Sequence, residues 1–449
     1  MHRRLLAPAV AAGALLLAPA APAAEAPEYA EIKRQIEALK HDYEGRIALL
    51  EQRLAAAEQT ARAAEAKAAA AESGIAQAAA PPVPPPPAPQ AAAANANAFN
   101  PAISAVLMGT LGANSRNPDD QRVAGVVRAP DTAFPPRGFS LGESELVFAA
   151  SIDQTVAGAL VLAIQPDDSL SVEEAYVQST SLPFGFTVKG GRFYSGIGYL
   201  NEKHAHAWDF IDAPLAYVGL LGTQFGDDGV QVRWIAPTDT FLEFGAEAFR
   251  GDAFPAGNAP NHGIGAGSAF MHVGGDLGES ASWLAGLSYL QTRASARETG
   301  GDLFSGRDHF AIASLVYKWA PLGNPTVNNL IVNGEYLYDR DEGRFDGAPL
   351  QTTRDGWYLQ GVYQFRPRWR AGVRYDQLDA GDVPHALAGT VLDDRGHTPR
   401  RYTALLEFDT SEFARWRLQY AHDDSDAHGG DSVQLNYNVT FGPHGAHRF

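Results

Sequence analysis

The 449-residue chain predicts an all-β protein, a transmembrane barrel of about 16 antiparallel strands, preceded by an N-terminal α-helical coiled coil and a Pro-rich linker. Three observations carry this. From Ala102 onward, apolar and polar residues alternate with period 2 in one segment after another. The connections between segments are alternately short and long. Beyond the first twenty residues, the longest apolar run, Val156 to Ile164, is nine residues, about half of what a membrane-spanning helix needs.

Composition removes other classes. The chain has no Cys, which excludes disulfide frameworks, zinc–thiolate and iron–sulfur sites, thiol nucleophiles and a lipidated N-terminal Cys. A net charge of -17 argues against nucleic acid as a partner, because phosphate binding needs clustered Lys and Arg. There is no P-loop and no H-E-x-x-H; the sequence predicts no enzyme and calls for no cofactor.

The elements follow in order. Residues 1–23 read as a cleavable secretory signal: Arg3 and Arg4, an apolar stretch from Leu5 to Leu17, then small Ala21 and Ala23. Residues 28–77 read as a coiled-coil helix in the periplasm. Ile32, Ile36, Leu39 and Tyr43 begin a seam of threes and fours that runs through Ile47, Leu50 and Leu54 to Ile75. The two successive steps of four through Tyr43 to Ile47 form a stutter beside Gly45 that relaxes the supercoil. Residues 78–98 form a linker with seven prolines between Pro81 and Pro89, an extended and semi-rigid spacer.

Residues 99–449 carry the barrel. Trp369, Ala371, Val373 and Tyr375 alternate with Arg368, Arg370, Gly372, Arg374 and Asp376; Trp416, Leu418 and Tyr420 alternate with Arg415, Arg417 and Gln419. Such segments begin near Ala102, Phe139, Thr155, Leu170, Phe186, Val230, Thr240, Ala266, Ser282, His309, Val327, Asp355, Arg368, Arg401, Ala414 and Ser432. Long loops are expected at 113–137, 195–228, 251–265, 294–308, 340–354 and 379–400. A soluble sandwich would bury the arginines in a dry core at several kcal/mol per unpaired ion, whereas a wet lumen removes that cost.

The segments KGGRFYSGIGYLNEKHAHAWDF (Lys189 to Phe210) and GDDGVQVRW (Gly226 to Trp234), with the signal, coiled coil and linker, resemble bacterial outer-membrane porins of the phosphate-selective type and related siderophore- or metal-associated porins. The terminal Phe449 fits outer-membrane proteins, although Gly442 and Pro443 interrupt the last strand. The resemblance implies a passive diffusion channel for small hydrophilic or metal-associated solutes in the outer membrane. It also implies a homotrimer and a loop after the fifth strand, here Ser195 to Asp228, that folds inward as a constriction. Partners would be outer-membrane lipid, further copies of the chain through barrel wall and coiled coil, and peptidoglycan for the helix. The alternative is a ligand-specific uptake receptor for a metal ion or chelate, of the kind labelled TonB-dependent. The roughly 350 residues after the linker are too few for a 22-stranded barrel with a plug.

Within that loop, Glu202, Lys203, His204, His206, Asp209 and Asp212 are candidate constriction residues, narrowing a pore and favouring cations or neutral solutes. The same charges could instead pair with lumen arginines. His204 and His206 are candidate metal ligands, with both rings on one side if the segment is extended. Candidate pore-lining residues are Arg192, Arg233, Glu243, Glu247, Arg368, Arg370, Arg374, Arg401, Arg415 and Arg417. Arginines facing Glu143, Glu145, Glu335 and Glu407 would set a transverse field or form wall-stiffening salt bridges.

Overall fold

A computed structural model describes residues 101–442 other than 130, 131, 133, 135, 166–168 and 259–262. The predicted signal (1–23), coiled coil (28–77) and linker (78–98), and the C-terminal His444, His447 and Phe449, lie outside the described residues.

The described residues form antiparallel strands joined by alternately short and long connections. In order these are β1 (Ala102–Asn114), β2 (Gly138–Ser140), β3 (Ser144–Ser151), β4 (Val156–Ile164), β5 (Leu170–Ser179) and β6 (Phe186–Tyr194). Next come β7 (Gly226–Ile235), β8 (Phe241–Phe249), β9 (Ala266–Leu277), β10 (Ala281–Thr299), β11 (Asp302–Trp319) and β12 (Asn329–Phe345). The last are β13 (Ala348–Arg366), β14 (Trp369–Asp379), β15 (Arg400–Ser411), β16 (Ala414–Asp424) and β17 (Gly430–Phe441). β1 pairs with both β2 and β3, each strand from β3 on pairs with the next in sequence, and β1 pairs with β17 from Ala105↔Phe441 to Asn114↔Ser432, which closes the ring. Closure leaves no unpaired edge to template aggregation.

The ring has 16 positions, because β2 and β3 are two halves of one strand that both pair with β1. The register slips by one residue between Thr110↔Ser140 and Val106↔Glu145, a bulge around Gly142, whose φ of 60° is left-handed. Gly138 to Gly142 reads G-F-S-L-G, the spacing of a hydrolase nucleophile elbow. Here, however, the segment runs from strand to strand, and Ser140 Oγ accepts the Gly142 N–H at 3.3 Å, so the strand-to-helix turn that such an elbow needs is not formed.

The alternation sorts residues as expected on most strands. On β14 to β16 the outward residues between Trp369 and Tyr375, Tyr402 and Phe408, and Trp416 and Tyr420 are apolar or aromatic and carry no charge. Outward rings gather at two levels. Trp369–Phe408 (4.7 Å) and Trp416–Tyr437 (4.4 Å) lie by the short turns. Tyr375–Tyr402 (5.0 Å) and Trp357–Tyr375 (5.2 Å) lie six residues further along the same strands, about 20 Å at ~3.3 Å per residue.

Two expected loops are instead strand. Residues 294–308 and 340–354 form the tips of the hairpins β10–β11 and β12–β13, whose strands run to 17–19 residues, well past the roughly 9–11 needed to cross a bilayer. Two arginines are also misassigned by simple alternation. Arg192 faces outward: Lys189 pairs with inward Gln231, and three residues on, Arg192 pairs with Asp228 in a half-exposed ion pair of 2.8 Å. Arg368 sits in the β13–β14 turn at φ 71°, exposed, with its Nε donating to the Asp409 carbonyl at 2.7 Å.

Candidate functional site

The inner wall is not uniformly polar. Ser288, Leu290, Phe310, Ile312, Leu337 and Tyr358 on β10 to β13 all face inward and are buried. Against this patch lies the connection from β6 to β7, predicted as the inward loop. Ile197, Leu215, Ala216, Tyr217 and Leu221 are 0% exposed and pack with Leu290, Phe310, Ile312 and Leu337, joined by Val123 and Val126 of the β1–β2 connection. Burying this many apolar side chains, at about 1.5–3 kcal/mol for each large one, is what draws a loop with six charged or imidazole residues into the barrel. A six-residue helix, α1 (Leu215–Leu220), follows Pro214 and contributes Leu215, Ala216, Tyr217 and Leu220 to this cluster.

Polar contacts then fix the path. Glu335 on β12, 3% exposed, accepts from Tyr199 N at 2.8 Å, Leu200 N at 3.1 Å, Tyr217 Oη at 3.0 Å and Tyr358 Oη at 2.7 Å. Only glycine fits at 198, where φ is 66° and a Cβ would strike the Glu335 carboxylate and the Tyr217 hydroxyl. On β8, Glu247 accepts from Gly196 N at 2.9 Å, from Gln231 Nε2 at 2.6 Å and from the Ser195 hydroxyl.

Across the lumen, an arginine wall on β14 to β16 takes the loop's other end. Arg370 pairs with Asp209 at 2.6 Å and Glu407 at 2.7 Å. Arg374 and Arg401 each reach Asp212 at 2.9 Å, and Arg401 Nη2 donates to the Ala213 carbonyl at 2.6 Å. Arg417 donates to the carbonyls of Trp208 and Phe210 at 2.9 and 3.3 Å, and Arg415 to Trp208 O at 3.0 Å. Phe210 seats between Val362 and Leu405, with the Arg374 guanidinium 4.8 Å above its ring. Burial alone would raise the Asp212 pKa, but Arg401 and Arg374 outweigh it and hold the carboxyl down at about 2.

The predicted loop residues are thus brought together with the wall, in a division of labour that the sequence left open. Glu202, Asp209 and Asp212 are spent on Arg233, Arg370, Arg374 and Arg401. Lys203 covers the Tyr199 ring at 3.5 Å. Glu243 pairs with Arg233 at 3.6 Å and with His272 at 2.9 Å.

His204 and His206 behave differently. His206 lies within a 3-10 turn, Ala205–Ala207, that His204 caps, not in an extended segment, yet both rings meet Glu145 of β3: His206 Nδ1 at 2.5 Å from Oε1 and His204 Nδ1 at 3.4 Å from Oε2. His204 also contacts Glu173 through Nδ1 at 3.2 Å and Glu174 through Nε2 at 3.0 Å. Consecutive strand residues should face opposite ways. They do not here, because Val161 pairs with Glu174 and Leu162 with Val172, leaving Glu173 as the extra residue of a bulge that turns both carboxylates inward. Glu173 and Glu174 are the functional candidates that alternation misses.

No family model matches the chain. Among solved structures it is similar to the outer membrane channel DcaP of Acinetobacter baumannii, with 13% identity and a TM-score of 0.49, covering 76% of this chain and 96% of that one. It is similar to OprB of Pseudomonas putida, with 13% identity, a TM-score of 0.48 and 76% and 94% coverage. The trimer form of OmpT, an outer membrane protein of Vibrio cholerae, gives 13% identity, a TM-score of 0.48 and 76% and 98% coverage. A protein of Aquifex aeolicus (strain VF5), described as uncharacterized, is 31% identical over 343 residues, which is 70% of this chain and 70% of that protein. By that identity and extent, the chain belongs to the same family as the Aquifex aeolicus protein.

Proposed function

We propose that the chain is an outer-membrane porin, a passive channel for small hydrophilic solutes rather than an enzyme. The observation that carries this reading is the inversion of the barrel's two faces. The outward residues of β14 to β16 carry no charge between two aromatic levels, while Arg370, Arg374, Arg401, Arg415, Arg417 and Glu407 all face inward. A lipid face of that kind is favourable, whereas Arg or Lys at the bilayer midplane costs about 2–4 kcal/mol.

The loop between β6 and β7 narrows the lumen, since it bonds both to Glu247 and Glu335 on one side and to the arginine wall on the other. Selection is then by size and by residual charge. The arginine wall is largely neutralised by Asp209, Asp212, Asp376 and Glu407, whereas the ion pairs of Glu145, Glu173 and Glu174 among the described residues are with imidazoles. The field that remains favours cations.

Planar-bilayer recording tests both parts. The purified chain should give discrete channels whose reversal potential in a KCl gradient has the sign for K⁺ preference, and removing residues 199–223 should raise conductance severalfold. No current from either the whole chain or the loop-deleted chain refutes the porin reading. Chloride preference refutes the selectivity.

A further inference from the structure

We propose that Glu145, His204 and His206, together with Glu173, form a binding site for one divalent transition-metal ion of the Zn²⁺ type, which fastens the inward loop to the β3–β5 wall. The inference goes beyond the channel reading and does not depend on it, since a metal bound here would be held whether or not the barrel conducts.

The donor set is the first reason. One ligand atom each from Glu145, His204 and His206 lie within 4.8 Å of one another, and Glu145 with His206 is buried. Two imidazole nitrogens with carboxylate oxygens are the mixed set that borderline divalent ions take. The Glu173–His204 and Glu145–His204 distances of 3.2 and 3.4 Å match the ~3.3 Å edge of a tetrahedron with metal–ligand bonds of about 2.0 Å, while His206 Nδ1 holds the other oxygen of Glu145 at 2.5 Å. His204 presents Nδ1 to this point while its Nε2 meets Glu174 at 3.0 Å, the arrangement in which a ligating imidazole donates its other N–H to a carboxylate. Glu173 is oriented in the same way by Tyr194, whose hydroxyl donates to it at 2.6 Å.

Charge is the second and independent reason. Glu143, Glu145, Glu173 and Glu174 converge from β3, its leading bulge and β5; among the described residues Glu145, Glu173 and Glu174 pair with His204 and His206, and Glu143 accepts from Gln165 at 3.2 Å. Four carboxylates are crowded around two imidazoles here, with no guanidinium or ammonium in the described ion pairs of the cluster. Elsewhere in this lumen Asp209, Asp212 and Glu407 each meet a guanidinium. Bringing carboxylates together in a buried place is costly, and the bulge at Glu173 adds one that strand alternation would have turned away. A dication offsets that crowding by binding the ionised carboxylates in place of protons.

The test uses the full chain in detergent, stripped with a chelator and titrated with Zn²⁺ alone in a calorimeter. Wild type should bind one Zn²⁺ per chain. Affinity should fall at least tenfold in H206Q and in E145Q, and binding should vanish in the double variant H204Q/H206Q. H272Q, which breaks the separate His272–Glu243 pair, should bind as wild type does. Folding of each variant is read from its heat-modifiable gel mobility, and if E145Q does not fold the two histidine variants decide. Wild type binding no Zn²⁺, or the folded double variant binding as well as wild type, overturns the site while leaving the conductance result to stand alone.

Discussion

Replacing Glu335 by Ala should release the inward loop while leaving the barrel closed. Its carboxylate accepts from two loop N–H groups, Tyr199 and Leu200, from the loop's Tyr217 hydroxyl and from Tyr358 of the wall, all buried. Each donor left without an acceptor costs about 1–3 kcal/mol. Four such costs are not additive, because the chain relaxes, but even the low end of their sum is about 4 kcal/mol. Solvating the donors means lifting residues 199–221 off the wall. The barrel ladder, in which Glu335 pairs through its backbone with Tyr358 and Ser314, is untouched. Two measurements report this. Single-channel conductance should rise severalfold with added noise, and an externally added protease should cut within 199–223 of the variant but not of wild type, with heat-modifiable gel migration unchanged. Glu335→Gln, which keeps one acceptor oxygen, should fall between. An Ala variant with wild-type conductance and protease resistance would refute the view that this carboxylate holds the loop.

Further expectations concern the other anchors and the outer face. Phe210→Ala empties the seat between Val362 and Leu405 and should weaken loop docking by about 3–5 kcal/mol, seen as protease sensitivity in the same segment; unchanged protection counts against the seat. Asp212 has its folded-state pKa depressed to about 2, so its contribution is fully present above its unfolded pKa of about 3.9 and is lost as pH falls through about 2. The difference in loop protection between wild type and Asp212→Asn should therefore stay constant from pH 7 to about 5 and shrink only towards pH 2, and a difference that disappears by pH 5 would contradict the arginine pairing. Val373, 66% exposed on the outward face between the aromatic levels, should cost about 2–4 kcal/mol as Val373→Arg in folding into lipid vesicles; a neutral result there means that this face does not meet lipid.

The barrel was legible because period 2 carries two signals at once: which face each side chain takes, and where the chain must turn. Sixteen ring positions follow from counting those segments. What escaped were places where the alternation is broken on purpose. Glu173 and Glu174 share a face through a one-residue bulge that no residue type announces. Arg192 lies three positions after inward Lys189 and is therefore outward, a parity masked by Gly190 and Gly191, which show no face of their own. The hairpin tips at 294–308 and 340–354 looked like loops because their residues are mostly polar and lack a continuous apolar side.

The loop's path is a different case, since it depends on partners up to about two hundred residues away. The sequence supplied both halves of the lock without the pairing: an acidic, aromatic loop, and an arginine set whose parity pointed inward. A wall arginine in an open, wet lumen needs no partner, so Arg370, Arg374 and Arg401 alone do not demand Asp209 or Asp212. The deciding term is apolar. Leu290, Phe310, Ile312 and Leu337 face inward on the same strands whose outward face is also apolar, and a water-filled pore has no use for such a patch. A two-sided apolar strand inside an otherwise alternating barrel is therefore a sequence-readable sign that something must fold in to cover it, and the segment from Ile197 to Leu221, with its run of Leu, Ala, Tyr and Val, is the part of the chain that does so here. Charge pairing then chooses the orientation in which that cover sits.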